Sequence, residues 1–282
     1  MIRMKRTASF VVAALVSAAA LAQLPAPTGS APSRVEGYLA PGAFDILRVL
    51  PAPPMKGDPR YKADREIFRT TRAFYGTPRW DLAVNDVKLR PEDVMRDFSC
   101  AAGISLTPQN APKTLAVVLK TAQDTRRSSD IAKQFYKRQR PYELDRVRFC
   151  QPAPELAGSP DYPSGHATYG WTWAIILAEL NPDRATEITA RARAFGESRV
   201  VCGVHNRTAI DASLMTAAST LAAVRSSPAF QADLAVARAE LDGLRREPAT
   251  ARPAQCDAES ALVNQSLFGS RAATAQSRRM AR

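Results

Sequence analysis

The sequence predicts an all-α fold, a single compact helical domain spanning residues 61–247. Three observations carry this. Apolar residues recur at helical spacing through most of the span. Several segments open on a capping residue with proline close behind, the usual start of a helix. Short β-branched alternations bounded by turns, the mark of strands, are almost absent.

The first helical pattern is YKADREIFRTTRAFYG, with Ile67, Phe68, Ala73 and Phe74 spaced for one face and a stop at Gly76. TPRWDLAVNDV follows, with Thr77 as N-cap and Pro78 at the first helical position. PEDVMRDFSCAAG repeats that grammar, as does NAPKTLAVVLKTAQDTRR with Asn110 as the cap and Pro112 early. Further helices are expected over Ser129–Gln139, Ala167–Leu180, Pro182–Ser198, Asn206–Val224 and Pro228–Arg245.

The ends read differently. Arg3, Lys5 and Arg6 precede an apolar run that closes on Ala20-Leu21-Ala22, the pattern of a secretory signal peptide over residues 1–22. A membrane anchor is the rival, but the run is shorter than the ~20 apolar residues a spanning helix needs. Export to a periplasm or the medium is the expectation, with no integral membrane association after cleavage. Losing those three basic residues lowers the formal charge from +12 to +9. Residues 23–60 form an irregular leader rich in proline, and residues 248–282 a basic tail expected to be disordered unless Cys256 ties part of it down. Cys100, Cys150, Cys202 and Cys256 make an even count suited to two disulfides in an oxidising compartment, with three pairings open. No Cys/His cluster suggests structural zinc.

Three short stretches carry chemistry. In KQFYKRQRP, Lys133 and Arg140 are seven apart, close to two helical turns, so both can project from one face, and Pro141 ends helix there. A guanidinium fork beside an ammonium makes an anion clamp. In PSGH, Pro163 and Gly165 allow a tight turn, Ser164 caps the next helix, and the free amides attract an anion with His166 as proton source. In GESRVVCGVH, Arg199 ends one helix and His205 precedes the next. Each stretch alone also reads blandly, as a solvated basic face, a capped core helix and a buried helix joint. Together they hold both histidines of the chain, each beside an anion-binding partner. Phosphoryl transfer needs that set: cations to spread charge, a nucleophile and an acid.

Lys-x6-Arg-Pro, Pro-Ser-Gly-His and Ser-Arg-x5-His in this order resemble the class A bacterial nonspecific acid phosphatases, within the type-2 phosphatidic acid phosphatase and vanadium haloperoxidase superfamily. RTTRAFYGTPRWDLAVND, WAIILAELNP and SSPAFQADLAVA are similar to that family too, so the likeness covers roughly Tyr38 to Arg245. The resemblance implies an all-helical, often oligomeric phosphatase of small phosphomonoesters working at acid pH. It implies His205 as the nucleophile that forms a phosphohistidine and His166 as the general acid. Lys133, Arg140, Ser164, Gly165 and Arg199 would bind phosphate oxygens, with no metal and no cofactor.

One departure stands out. The family pattern has an aspartate four residues after the second histidine, bonded to its ring, and this chain has Ala209 there. Asp211 is turned about 200° from that direction on a helix. A carbonyl or water is then left to orient His205, and slowed turnover is expected, with Ala209→Asp restoring it. Three other readings compete with soluble phosphomonoester hydrolysis: a lipid-phosphate phosphatase at the outer membrane face, a vanadate-dependent halide oxidase, and an impaired anion-binding relative. Nucleic-acid binding is the weakest, since Phe135, Tyr136 and Tyr142 make no stacking platform within the basic stretch 126–148.

Overall fold

Proline opens six of the ten α-helices found among the described residues, where its fixed φ and missing N–H cost nothing. The computed structural model describes residues 35–145, 147–247, 250–265 and 267–268. The signal sequence over 1–22 and the first part of the leader lie outside the described residues, as does the end of the tail. The helices are α1 (Pro59–Thr70), α2 (Pro78–Asn85), α3 (Pro91–Ala102), α4 (Pro112–Tyr136), α5 (Pro141–Leu144), α6 (Gly165–Leu180), α7 (Ala185–Val201), α8 (Arg207–Val224), α9 (Pro228–Arg246) and α10 (Cys256–Val263). No strand occurs among the described residues, and the fold is all-α as the pattern predicts.

The differences from the sequence reading have local causes. The first pattern splits, α1 giving way to a 3-10 turn over Thr71–Phe74. The expected break at Ser128-Ser129 is absent, and α4 runs through it. Both hydroxyls are buried and satisfied sideways, Ser128 by Thr220 at 3.0 Å and Ser129 by Thr168 at 3.1 Å. Asn110 does not cap α4. Ala111 is the N-cap, and the Asn110 side chain instead ties the preceding loop to Thr107 and Ser105. Past Glu247, Cys256 does tie down a helix, α10, through a disulfide to Cys100. The second disulfide joins Cys150 to Cys202. Leader residues 35–58 contain one 3-10 turn, Ile46–Arg48, yet Ile46 and Leu50 are buried.

Helix α6 packs against α7, α8 and α4. The main core joins Val94, Met95 and Phe98 of α3, Val117 and Val118 of α4, Trp173 and Ile176 of α6, and Leu221 and Phe230 from α8 and α9. At Gly170 of α6 a Cβ would stand 2.5 Å from the Phe195 ring of α7, so only glycine permits this closeness. That approach sets the start of α6 beside the end of α7.

Candidate active site

Lys133 and Arg140 reach the same place from different elements. Helix α4 stops at Tyr136 on Lys137, which takes a left-handed φ of 46°. The two cations therefore do not share one helical face; Lys133 lies in the last turn of α4, and Arg140 is the N-cap of α5. The Lys133 ammonium donates to the Pro160 carbonyl. Arg140 is held by Ser159, whose carbonyl accepts from Nε at 2.6 Å, and by the Val204 carbonyl, which accepts from Nη1 at 2.9 Å.

Ser164 is the N-cap of α6 and accepts from the Ala167 N–H at 3.3 Å. Its own N–H donates to Ser213 Oγ at 3.0 Å, pinning the turn to α8. Gly165 and His166 are the first two residues of α6, and a Cβ on Gly165 would lie 3.9 Å from Lys133 Cε. His166 Nε2 stands 3.1 Å from the Val87 carbonyl. A carbonyl only accepts, so Nε2 carries hydrogen and Nδ1 is the nitrogen left for proton exchange.

Arg199 sits in the last turn of α7, fully buried. The Gln151 side-chain oxygen accepts from its Nη2. Its Nε and Nη1 have no partner among the described residues, which for a buried guanidinium marks a place suited to an anion. Arg72 caps the end of α7 by donating to the Val200 and Val201 carbonyls. The chain then turns at Gly203, where φ is +86° and a Cβ would strike Arg72, and delivers His205 to the start of α8.

One cavity of about 420 Å³ collects these groups. Lys133, Arg140, Gly165, His166 and His205 line it, with Ser159 and Gln151 between them and Leu89, Leu119 and Tyr169 further along. Ser164 and Arg199 are fully buried rather than part of its wall. His205 Nε2 lies 3.0 Å from Arg140 Nη1. On the other edge of the ring, Nδ1 is 2.9 Å from Asp161 Oδ1. Sequence reasoning missed Asp161 and Gln151. Asp161 lies within the DYPSGH stretch itself, but nothing in its spacing tells that it reaches a ring 44 positions along the chain. Gln151 follows Cys150, and only the disulfide pairing would have brought it near Arg199.

Burial, reinforced by neighbouring positive charge, sets the electrostatics. Burial, reinforced by Arg140, pushes the Lys133 ammonium down to about 7. Burial and then Arg140 lower Arg199 to about 9. Both imidazoles are held well below 6.5: His166 by burial and Arg199, His205 by burial, Arg140 and Lys133. An anion entering this cavity would relieve all four groups at once. Among the described residues no three His, Cys, Asp or Glu side chains converge to hold a metal ion.

The family model of the PAP2 superfamily matches residues 114–231, a span that contains every one of these groups. The non-specific acid phosphatase of Salmonella typhimurium is 36% identical over 196 residues, covering 68% of this chain and 78% of its own length. The chain belongs to the non-specific acid phosphatases of the PAP2 superfamily. An acid phosphatase of Zymomonas mobilis is 37% identical over 76% of this chain and 82% of its own length. The non-specific acid phosphatase of Providencia stuartii is 32% identical over 86% and 99%. For this acid phosphatase, the cavity with its imidazoles and cations is the candidate active site. No helix among the described residues is long and apolar enough to cross a membrane.

Proposed function

We propose that this acid phosphatase hydrolyses small phosphomonoesters through a phosphohistidine on His205. The Nε2 lone pair forms the N–P bond as the P–O ester bond breaks, and the leaving alkoxide takes a proton from His166 Nδ1. His166 then draws a proton from water, whose oxygen attacks phosphorus while the N–P electron pair returns to Nε2. Lys133, Arg140 and Arg199, with the Gly165 amide at the start of α6, bind the phosphoryl oxygens and spread their charge. The observation that carries this reading is the 3.0 Å contact of Arg140 Nη1 with His205 Nε2. Arginine only donates, so Nε2 is a bare lone pair aimed where the phosphate clamp lies.

Phosphate release from p-nitrophenyl phosphate, measured with EDTA present for wild type, His205→Ala and His166→Ala, tests it. His205→Ala should lose turnover altogether, and alkaline quenching of wild type with labelled substrate should trap acid-labile phosphate on the protein. Turnover by His205→Ala, or loss of wild-type activity to EDTA, would contradict the scheme.

Export fits the two disulfides, which persist in oxidising compartments. A mature protein recovered from the periplasm or medium with residues 1–22 removed is the expected product, and retention of Met1 there would count against it.

A further inference from the structure

The carboxylate that orients the nucleophile has no place in the motif spacing, yet the fold supplies one. We propose that Asp161 is the positioning residue of the phosphoryl transfer, fixing His205 as the tautomer with hydrogen on Nδ1 and a bare Nε2 facing the Arg140 clamp. The inference rests on the reading of His205 as nucleophile and names the group that prepares it.

Four contacts hold this carboxylate. Oδ1 accepts from His205 Nδ1 at 2.9 Å and from the Asn206 backbone N–H at 3.1 Å. Oδ2 accepts from Asn206 Nδ2 at 2.8 Å and faces Arg138 Nη1 at 3.4 Å. The backbone N–H and the guanidinium can only donate, which suits an ionised acceptor. Arg138 is itself fixed by Asp64 at 2.8 Å and Thr208 at 2.7 Å, and it holds the Asp161 N–H through its own carbonyl at 2.8 Å. Asp161 is fully buried and His205 nearly so, which shields their contact from solvent.

The two edges of the ring give the same answer. Arg140 forces Nε2 to accept, and Asp161 takes the proton that must then sit on Nδ1. When Nε2 bonds to phosphorus the ring becomes an imidazolium, and Asp161 Oδ1 is the anion already in contact with it. Neither a carbonyl nor a water is needed. Position 209 supplies no carboxylate in the present fold: Ala209 is fully buried and belongs to an apolar cluster with Ile46, Leu50, Ala132, Tyr162 and Ala212.

With only two histidines in the chain, the rings can be followed by 15N NMR and assigned with the His166→Ala protein. In wild type at neutral pH, His205 should carry hydrogen on Nδ1 and none on Nε2. Asp161→Asn should redistribute the tautomers and lower kcat by up to about 10⁴-fold, the loss seen when the orienting aspartate of a Ser-His-Asp triad becomes asparagine. KM and the thermal shift given by inorganic phosphate should stay close to wild type. A His205 ring protonated on Nε2 in wild type would overturn the proposal, whether or not the variant folds. So would an Asp161→Asn protein with wild-type kcat and tautomer. If instead no phosphoenzyme can be trapped while the Nδ1–H tautomer is found, the nucleophile assignment fails and the positioning contact stands.

Discussion

Arg140 Nη1 bonds the Val204 carbonyl at 2.9 Å and meets the ring of the next residue, His205 Nε2, at 3.0 Å. One guanidinium nitrogen thus fixes both the backbone that delivers His205 and one edge of its ring. Nε anchors the fork separately on Ser159.

A single ammonium cannot reproduce that geometry. Arg140→Lys should lower kcat/KM by about 10²–10³-fold, the scale for loss of one preorganised charge-stabilising donor. Steady-state kinetics with p-nitrophenyl phosphate measures this, and inhibition by inorganic phosphate should weaken in parallel.

Acidity should govern both rate and stability. The proposed role of His166 as general acid requires it to start protonated, and burial beside Arg199 holds it well below 6.5, so kcat/KM should fall as pH rises through that acidic value. A profile still climbing in mildly alkaline buffer would contradict the assignment. For stability, both imidazoles resist protonation in the folded state. Their contribution is therefore complete above 6.5 and is lost as pH falls toward the folded values. Melting temperature without phosphate should drop across that acidic window.

Bound phosphate should reverse the strain of collected cations. At a hundredfold excess over Kd it should stabilise by about 2.7 kcal/mol, which for a chain of this size is roughly 2–4 °C for each kcal/mol. Lys133, buried with its ammonium lowered to about 7, loses this penalty when its charge is removed. Lys133→Met should melt higher than wild type in the absence of phosphate, show a smaller phosphate shift, and have a raised KM. Differential scanning fluorimetry with and without phosphate resolves the two effects.

The two disulfides should separate stability from function. Cys202 lies three positions before His205, and Cys150 adjoins Gln151, which holds Arg199. Replacing both with serine should cost about 2–5 kcal/mol of stability and also lower kcat/KM. Cys100 and Cys256 lie away from the cavity lining, so the same exchange there should reduce melting temperature with kcat/KM unchanged.

Ala209→Asp bears on the departure from the family pattern. From sequence, a carboxylate there would be expected to restore an orienter. In the fold it enters an apolar cluster that includes Ile46 and Leu50, where an unpaired polar group costs about 1–3 kcal/mol or more. The variant should melt lower and turn over no faster than wild type. A gain in kcat would show that Asp161 leaves the ring under-oriented.

Much of the helical frame was legible because its signals are local. Pro78, Pro91 and Pro228 mark helix starts through their own φ, and Thr77 and Ser227 add capping hydroxyls before the first and last of them. The break wrongly expected at Ser128-Ser129 shows the limit, since those hydroxyls find partners on α8 and α6 rather than in their own turn. Lys133 and Arg140 were likewise legible as a pair but not as residues of two elements, because the left-handed Lys137 that parts them carries no residue-type signal.

By itself the sequence determined the helical class and the chemical types at the site, since spacing, capping and the placing of two histidines beside cations depend on neighbours along the chain. The tertiary structure alone decided which cysteines pair, that Gln151 holds Arg199, and that Asp161 serves His205. These are contacts between residues 44 or more positions apart, and their geometry comes from helix packing, which no local pattern encodes.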